Sequence, residues 1–178
     1  MTTYRIIERP AFEVIGKKTW ISGPDNAQFG RFWEQCQSEG LFETFKQIGG
    51  LRPGPQTRGV TLGVSRVEND PANRAFDYMI AVEKPGACPA TDLESYCVPA
   101  SQWAVFECHG KVPEAIVEAE IFCFTQWLPN SAFVHANAPE MEVYPPESQG
   151  DSDDNYCEFW LPIARKAQVP SRKCPLLP

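Results

Sequence analysis

Tyr156-Cys157-Glu158-Phe159-Trp160-Leu161-Pro162-Ile163 is the stretch from which the fold is read most directly. Its alternation has the two-residue period of a β-strand, which sends Cys157, Phe159, Leu161 and Ile163 to one face of a sheet. That set is uniformly apolar and predicts packing against a helix. The other face receives Tyr156, Glu158, Trp160 and Pro162, so a carboxylate stands two residues, about 7 Å, from an aromatic ring on each side. Such an acid suits an organic cation, with charge from the carboxylate and cation–π attraction from the rings. The competing reading is a solvated glutamate on an exposed sheet face, with ordinary β-formers beside it.

Working outward, the same pattern recurs once. Phe76-Asp77-Tyr78-Met79-Ile80-Ala81-Val82 corresponds to Cys157–Ile163, and Arg9-Pro10-Ala11 corresponds to Val98-Pro99-Ala100. Each proline interrupts an extended stretch ahead of a helix and implies an edge, a bulge or a bend. Phe29, Phe32, Trp33 and Cys36 follow helical spacing, and Leu41, Phe45 and Ile48 continue it after a phase slip at Gly40. Pro113 and Glu114 open a second helix, whose face is marked by Val117, Ile121, Phe124 and Leu128 and which Pro129 ends. Val60, Leu62 and Val64 mark one further strand, and Met141, Val143 and Tyr144 another.

The order predicts an α+β fold of two β-α-β-β units, residues 4–84 and 94–165, within one domain of residues 1–165. The units join in a pseudo-two-fold antiparallel sheet with two helices on one face and a ligand cleft between the halves. Residues 166–178 read as an irregular tail.

The chain has 178 residues, a net charge of −7 and 43% hydrophobic residues. Its acidity argues against direct nucleic-acid binding, which needs clustered Lys and Arg, and mildly favours cationic ligands. No apolar run is long enough to span a membrane and no signal region opens the chain, so a cytoplasmic location is expected. The seven cysteines form no C-x-x-C and read as small buried hydrophobes. Cys108 and His109, as strand neighbours, point to opposite faces and cannot act as a pair. His135 reads as a solvated loop residue, and with two histidines no metal-ligand set forms. Asp151-Ser152-Asp153-Asp154 lacks calcium-loop spacing. No cofactor is expected.

Three motifs carry a family resemblance. They are Trp127-Leu128-Pro129-Asn130-Ser131-Ala132-Phe133, Pro139-Glu140-Met141-Glu142-Val143-Tyr144-Pro145-Pro146, and Glu158-Phe159-Trp160-Leu161-Pro162-Ile163. In this order and spacing the chain resembles the GyrI-like small-molecule-binding family, which includes effector-binding domains of AraC- and MerR-type multidrug-responsive regulators. The resemblance spans residues 4–163. It implies that Glu158 is the ligand-contacting glutamate, with Trp160, Tyr156, Phe133, Met141 and Trp103 around it. Phe133 stands where the family usually has tyrosine and Ala132 where it has glycine, and Arg58-Gly59 replaces a common Tyr-Gly, putting a cation near the pocket.

The leading expectation is a stand-alone protein that binds or sequesters aromatic, cationic compounds, with no room for a DNA reader. A hydrolase of electrophilic small molecules, with Glu158 assisted by Tyr144 or Tyr156, is the second reading. A protein-interaction module of the gyrase-inhibitor kind is the third.

Overall fold

The computed structural model describes residues 3–148 and 152–167. The tail expected over 166–178 therefore lies mostly outside the described residues, as does Asp151. Strand β1 (Tyr4–Arg9) and β2 (Phe12–Ser22) would be one extended stretch but for Pro10. The break lets β1 leave its own repeat and pair with β6 (Ser101–His109) of the other, Tyr4 opposite Phe106. Pro99 does the same for β5 (Glu94–Val98), which pairs with β2, Phe12 opposite Val98. Each proline lacks an N–H for a ladder, so the chain can turn at that point without forfeiting a hydrogen bond.

The remaining strands are β3 (Thr61–Arg66), β4 (Ala75–Glu83), β7 (Phe133–His135), β8 (Glu140–Tyr144) and β9 (Tyr156–Arg165). They assemble in the order β1-β6-β9-β8-β3-β4-β2-β5, with β7 beside β9. Every pairing is antiparallel, and the halves meet where β3 pairs with β8. The α+β duplicated architecture expected from the sequence is present. Its first helix is divided, because Gly40 takes a left-handed φ of 81° and separates α1 (Ala27–Ser38) from α2 (Leu41–Gln47).

Both faces of the sheet are buried, in different ways. On the helix face the core is split by repeat. One cluster joins Phe32, Cys36 and Phe45 to Tyr78 and Ile80, and the other joins Ile116, Cys123 and Trp127 to Phe106, Phe159 and Leu161. On the opposite face a single cluster draws from both halves, with Phe12, Val14 and Met79 from the first and Trp103, Met141 and Trp160 from the second. Among the described residues no helix packs on this cluster, yet Trp103 is 0% and Trp160 1% exposed. The sheet must therefore curl about this face until strands distant in its order share one core.

The second helix, α3 (Glu114–Phe122), continues through a π-helical turn, Cys123–Trp127, into a last turn, Leu128–Asn130. Its core face is Ala115, Ile116, Ala119, Cys123 and Trp127. This corrects the face expected from Val117, Ile121, Phe124 and Leu128: Ile121 is 55% and Phe124 41% exposed. The helix is apolar on two sides, so spacing alone could not say which of them meets the sheet.

Candidate functional site

Because the helix-face core is divided, a gap remains over the β3–β8 junction, flanked by α1 and α3. It is a cleft of about 1090 Å³, roughly the size of sites that hold drug-sized molecules. Alternation along β8 places Glu140, Glu142 and Tyr144 in its floor while Met141 and Val143 enter the opposite core. Phe29 and Trp33 of α1 form one wall, and Val117, Glu120 and Phe124 of α3 form the other. The outer apolar side of α3 thus faces the cleft.

Glu142 is the best-anchored acid of the cleft. Tyr144 donates its hydroxyl to Oε2 at 2.7 Å, and Tyr78 donates to the same oxygen at 3.0 Å. Trp33 Nε1 in turn donates to the Tyr78 hydroxyl at 2.8 Å. Oε1 receives no hydrogen bond from the described residues and is left for whatever enters. Burial raises the Glu142 pKa above the ordinary value, while the two phenol bonds hold it down. Both tyrosines are pushed well above their usual range by burial and by the Glu142 charge, so they stay protonated donors. Gly63, opposite Glu142 in the β3–β8 pair, makes this arrangement fit. A Cβ there would stand 2.4 Å from the Tyr78 hydroxyl and 2.6 Å from Glu142 Oε2.

The rings are packed edge to face. Phe29 meets Tyr78 at 4.8 Å and 89°, and Trp33 meets Tyr144 at 5.4 Å and 79°. Glu140 Oε1 lies 3.0 Å from His135 Nε2, so His135 is a half-buried strand residue rather than the solvated loop residue expected. Burial pushes the Glu120 pKa up to about 8, with the charges of Glu142 and Glu140 adding to it and Arg74 opposing. Arg74 is the only cation among the described lining residues. It is held by Asn26, at 2.5 Å, and over the Phe29 ring. Among the described residues no His, Cys, Asp and Glu group could hold a metal ion.

The site expected around Glu158 is placed differently. Glu158 is buried, at 6% exposed, but it sits on the curled, helix-free side, and the cleft opens on the other. Both oxygens of its carboxylate are engaged. Oε1 accepts from Arg5 and Tyr156, each at 2.6 Å, and Oε2 accepts from Trp160 Nε1 at 2.7 Å. Trp160, Trp103 and Met141 belong to the core on that side, so this set is structural packing rather than cleft lining. The physical reason is that alternation separates two faces without saying which one the helices leave open. Phe133 stacks on Trp127 at 6.0 Å, outside the cleft. Arg58 has a side chain 80% exposed, 3.9 Å from Glu147, and is not part of the lining. Of the residues the sequence proposed for the site, Tyr144 alone reaches the cleft. Glu120, Glu142, Phe29, Trp33 and Tyr78 were missed. The alternation of Glu140, Glu142 and Tyr144 with Met141 and Val143 was the available signal for the floor.

Residues 2–164 match the family profile described as GyrI-like small molecule binding domain. The transcriptional regulator BrlR of Pseudomonas aeruginosa is 26% identical over 161 residues, covering 89% of this chain and 54% of BrlR. The chain thus spans about half the length of that relative. Among solved structures, SAV2435 bound to tetraphenylphosphonium superposes with a TM-score of 0.75 at 23% identity, covering 91% of this chain and 94% of that one. The EcmrR C-terminal domain superposes with a TM-score of 0.63 at 15% identity, covering 93% and 99%.

Proposed function

This chain belongs to the GyrI-like small molecule binding domain family, and from that premise we propose that the cleft between α1 and α3 binds aromatic organic cations. Glu142 supplies the counter-charge, and Phe29, Trp33 and Tyr144 supply ring faces. The observation that carries this reading is the free Oε1 of a carboxylate that Tyr78 and Tyr144 hold rigidly by its other oxygen. A preorganised anion costs little further ordering when a cation arrives, and in a ring-lined cleft the attraction is screened less than at the surface. The tetraphenylphosphonium held by SAV2435, which shares the fold, is a cation of the kind such a cleft suits. Binding of this sort would let the protein sequester a compound or report it to a partner.

Titration with tetraphenylphosphonium, followed by calorimetry or by tryptophan fluorescence, tests the assignment. Glu142→Gln should weaken binding by roughly ten- to a hundredfold, the scale of a desolvated ion contact. Wild-type and variant affinities within about twofold of one another would rule Glu142 out.

A further inference from the structure

Glu120 differs from the other acids of the cleft. Glu142 is held by two tyrosines and Glu140 by His135, whereas Glu120 makes no hydrogen bond or ion pair with any described residue. It points from α3 between Val117 and Phe124 into the same space. The groups around it are Glu140, Glu142 and Tyr144 from β8, Tyr78 from β4, Arg74 ahead of β4 and Glu34 of α1 at the rim, with Cys123 on its own helix. Arg74 gives one terminal nitrogen to Asn26 and lies over Phe29, with its Nε making no hydrogen bond, and it forms no ion pair with Glu120 among the described residues.

An unpaired carboxylate among other carboxylates, walled by rings, is unfavourable when ionised. It can avoid that cost in two ways, by keeping a proton or by meeting a cation. A singly charged ligand is neutralised at Glu142 and leaves Glu120 protonated. A ligand with a second positive centre needs a second anion. Resting on the reading of the cleft as a cation site, we propose that Glu120 is the anchor for the far pole of doubly charged aromatic cations. It releases its proton to solvent when such a ligand enters, –COOH becoming –COO⁻ paired with the ligand and H⁺ leaving to buffer. A Glu120 pKa of about 8 means that this carboxyl is mostly protonated at neutral pH and has a proton to give.

Two probes of one shape isolate the second charge: methyl viologen, a dication, and 1-methyl-4-phenylpyridinium, a monocation with the same two-ring frame. Calorimetry in buffers of different ionisation enthalpy should find about one proton released per methyl viologen bound near pH 7. Its affinity should rise about tenfold per pH unit from 6 towards 8 and then level, because only the ionised fraction of Glu120 is competent. The monocation should show less of both. Glu142, whose own pKa burial raises, meets both probes, so the quantity that reports Glu120 is the excess pH dependence of the dication over the monocation. In Glu120→Gln that excess should disappear, and the preference for the dication over the monocation at pH 8 should fall at least about tenfold. Equal pH profiles for the two probes, or an excess that survives Glu120→Gln, would overturn the assignment to Glu120 while leaving the monocation site at Glu142 standing. If neither probe binds, or if Glu142→Gln changes nothing, the cation cleft itself fails and this inference fails with it.

Discussion

Glu158 and Glu142 are both acids on central strands with aromatic residues two positions away, and they lie on opposite faces of one sheet. Glu158 has both oxygens engaged, one by a guanidinium and a phenol and the other by an indole. Glu142 has both of its donors on one oxygen and the other oxygen bare towards a cleft. The difference arises from what lies above each face. The curled side closes on itself and must satisfy its buried charge internally. The helix side is covered by two separate helical layers that leave a gap between them. A carboxylate among rings is therefore ambiguous until its second oxygen is accounted for.

The comparison breaks most readily at Glu158. Glu158→Gln removes the charge that Arg5 and Tyr156 address and presents an amide to Trp160 Nε1. We expect about 2–3 kcal/mol of lost stability in urea unfolding, while the folded protein keeps tetraphenylphosphonium affinity within about twofold. Glu142→Gln should show the converse, with affinity lost and stability held, because an amide still accepts one phenol bond and the unfavourable burial of charge is relieved. If Glu158→Gln instead loses binding without losing stability, the ligand site lies on the curled face.

A smaller effect tests why the second repeat carries the acids. Val64 lies opposite Met79, and Met141 lies opposite Trp160. Because Met79 and Trp160 are equivalent in the two repeats, Gly63 and Ser65 are the counterparts of Glu140 and Glu142. Tyr78 likewise stands where the second repeat has Phe159, and only the tyrosine has a hydroxyl to donate to Glu142. The pseudo-symmetry is thus broken at the cleft, with carboxylates from one repeat and the space and a phenol donor from the other. Gly63→Ala would press a methyl against both Tyr78 and Glu142. We expect a cost of about 1–2 kcal/mol from overpacking and an affinity for tetraphenylphosphonium reduced by roughly fivefold. Unchanged binding would mean that the Tyr78–Glu142 bond does not orient the carboxylate.

Much of the fold was legible because it is written in local signals. The strand alternation at Phe76–Val82 and Tyr156–Ile163 and the prolines at 10 and 99 foretold a duplicated antiparallel sheet. What the prolines could not reveal was that β1 and β5 change repeats, since a bend has no address. The site was legible as chemistry and not as position. An acid between aromatics was the right kind of group, but Glu158 shares that description with Glu142, whose neighbour Tyr144 is also two residues away. Choosing between them depends on where α1 and α3 stop, which is a matter of tertiary packing. Glu120 was hidden for a related reason. On α3 the stripe that looked like a core face is the one that overlooks the cleft, so the acid within it was not singled out.

The smallest expected effect concerns Arg58, which the sequence placed near the pocket and the structure places outside both regions. Its backbone takes φ of 62°, a left-handed conformation that costs a residue with a Cβ about 1 kcal/mol and glycine almost nothing. Its ion pair with Glu147 is long and exposed, the kind that contributes little. Arg58→Gly should therefore stabilise the protein by about 0.5 kcal/mol at most, after allowing for the extra freedom glycine brings to the unfolded chain. That corresponds to a rise of about one to two degrees in the melting temperature. Tetraphenylphosphonium affinity should be the same before and after, because the charge removed faces solvent and is screened over the distance of a Debye length. An affinity that rises when this arginine is removed would show that the cleft's field extends to its rim, and that the acids on its floor do not alone set which cations enter.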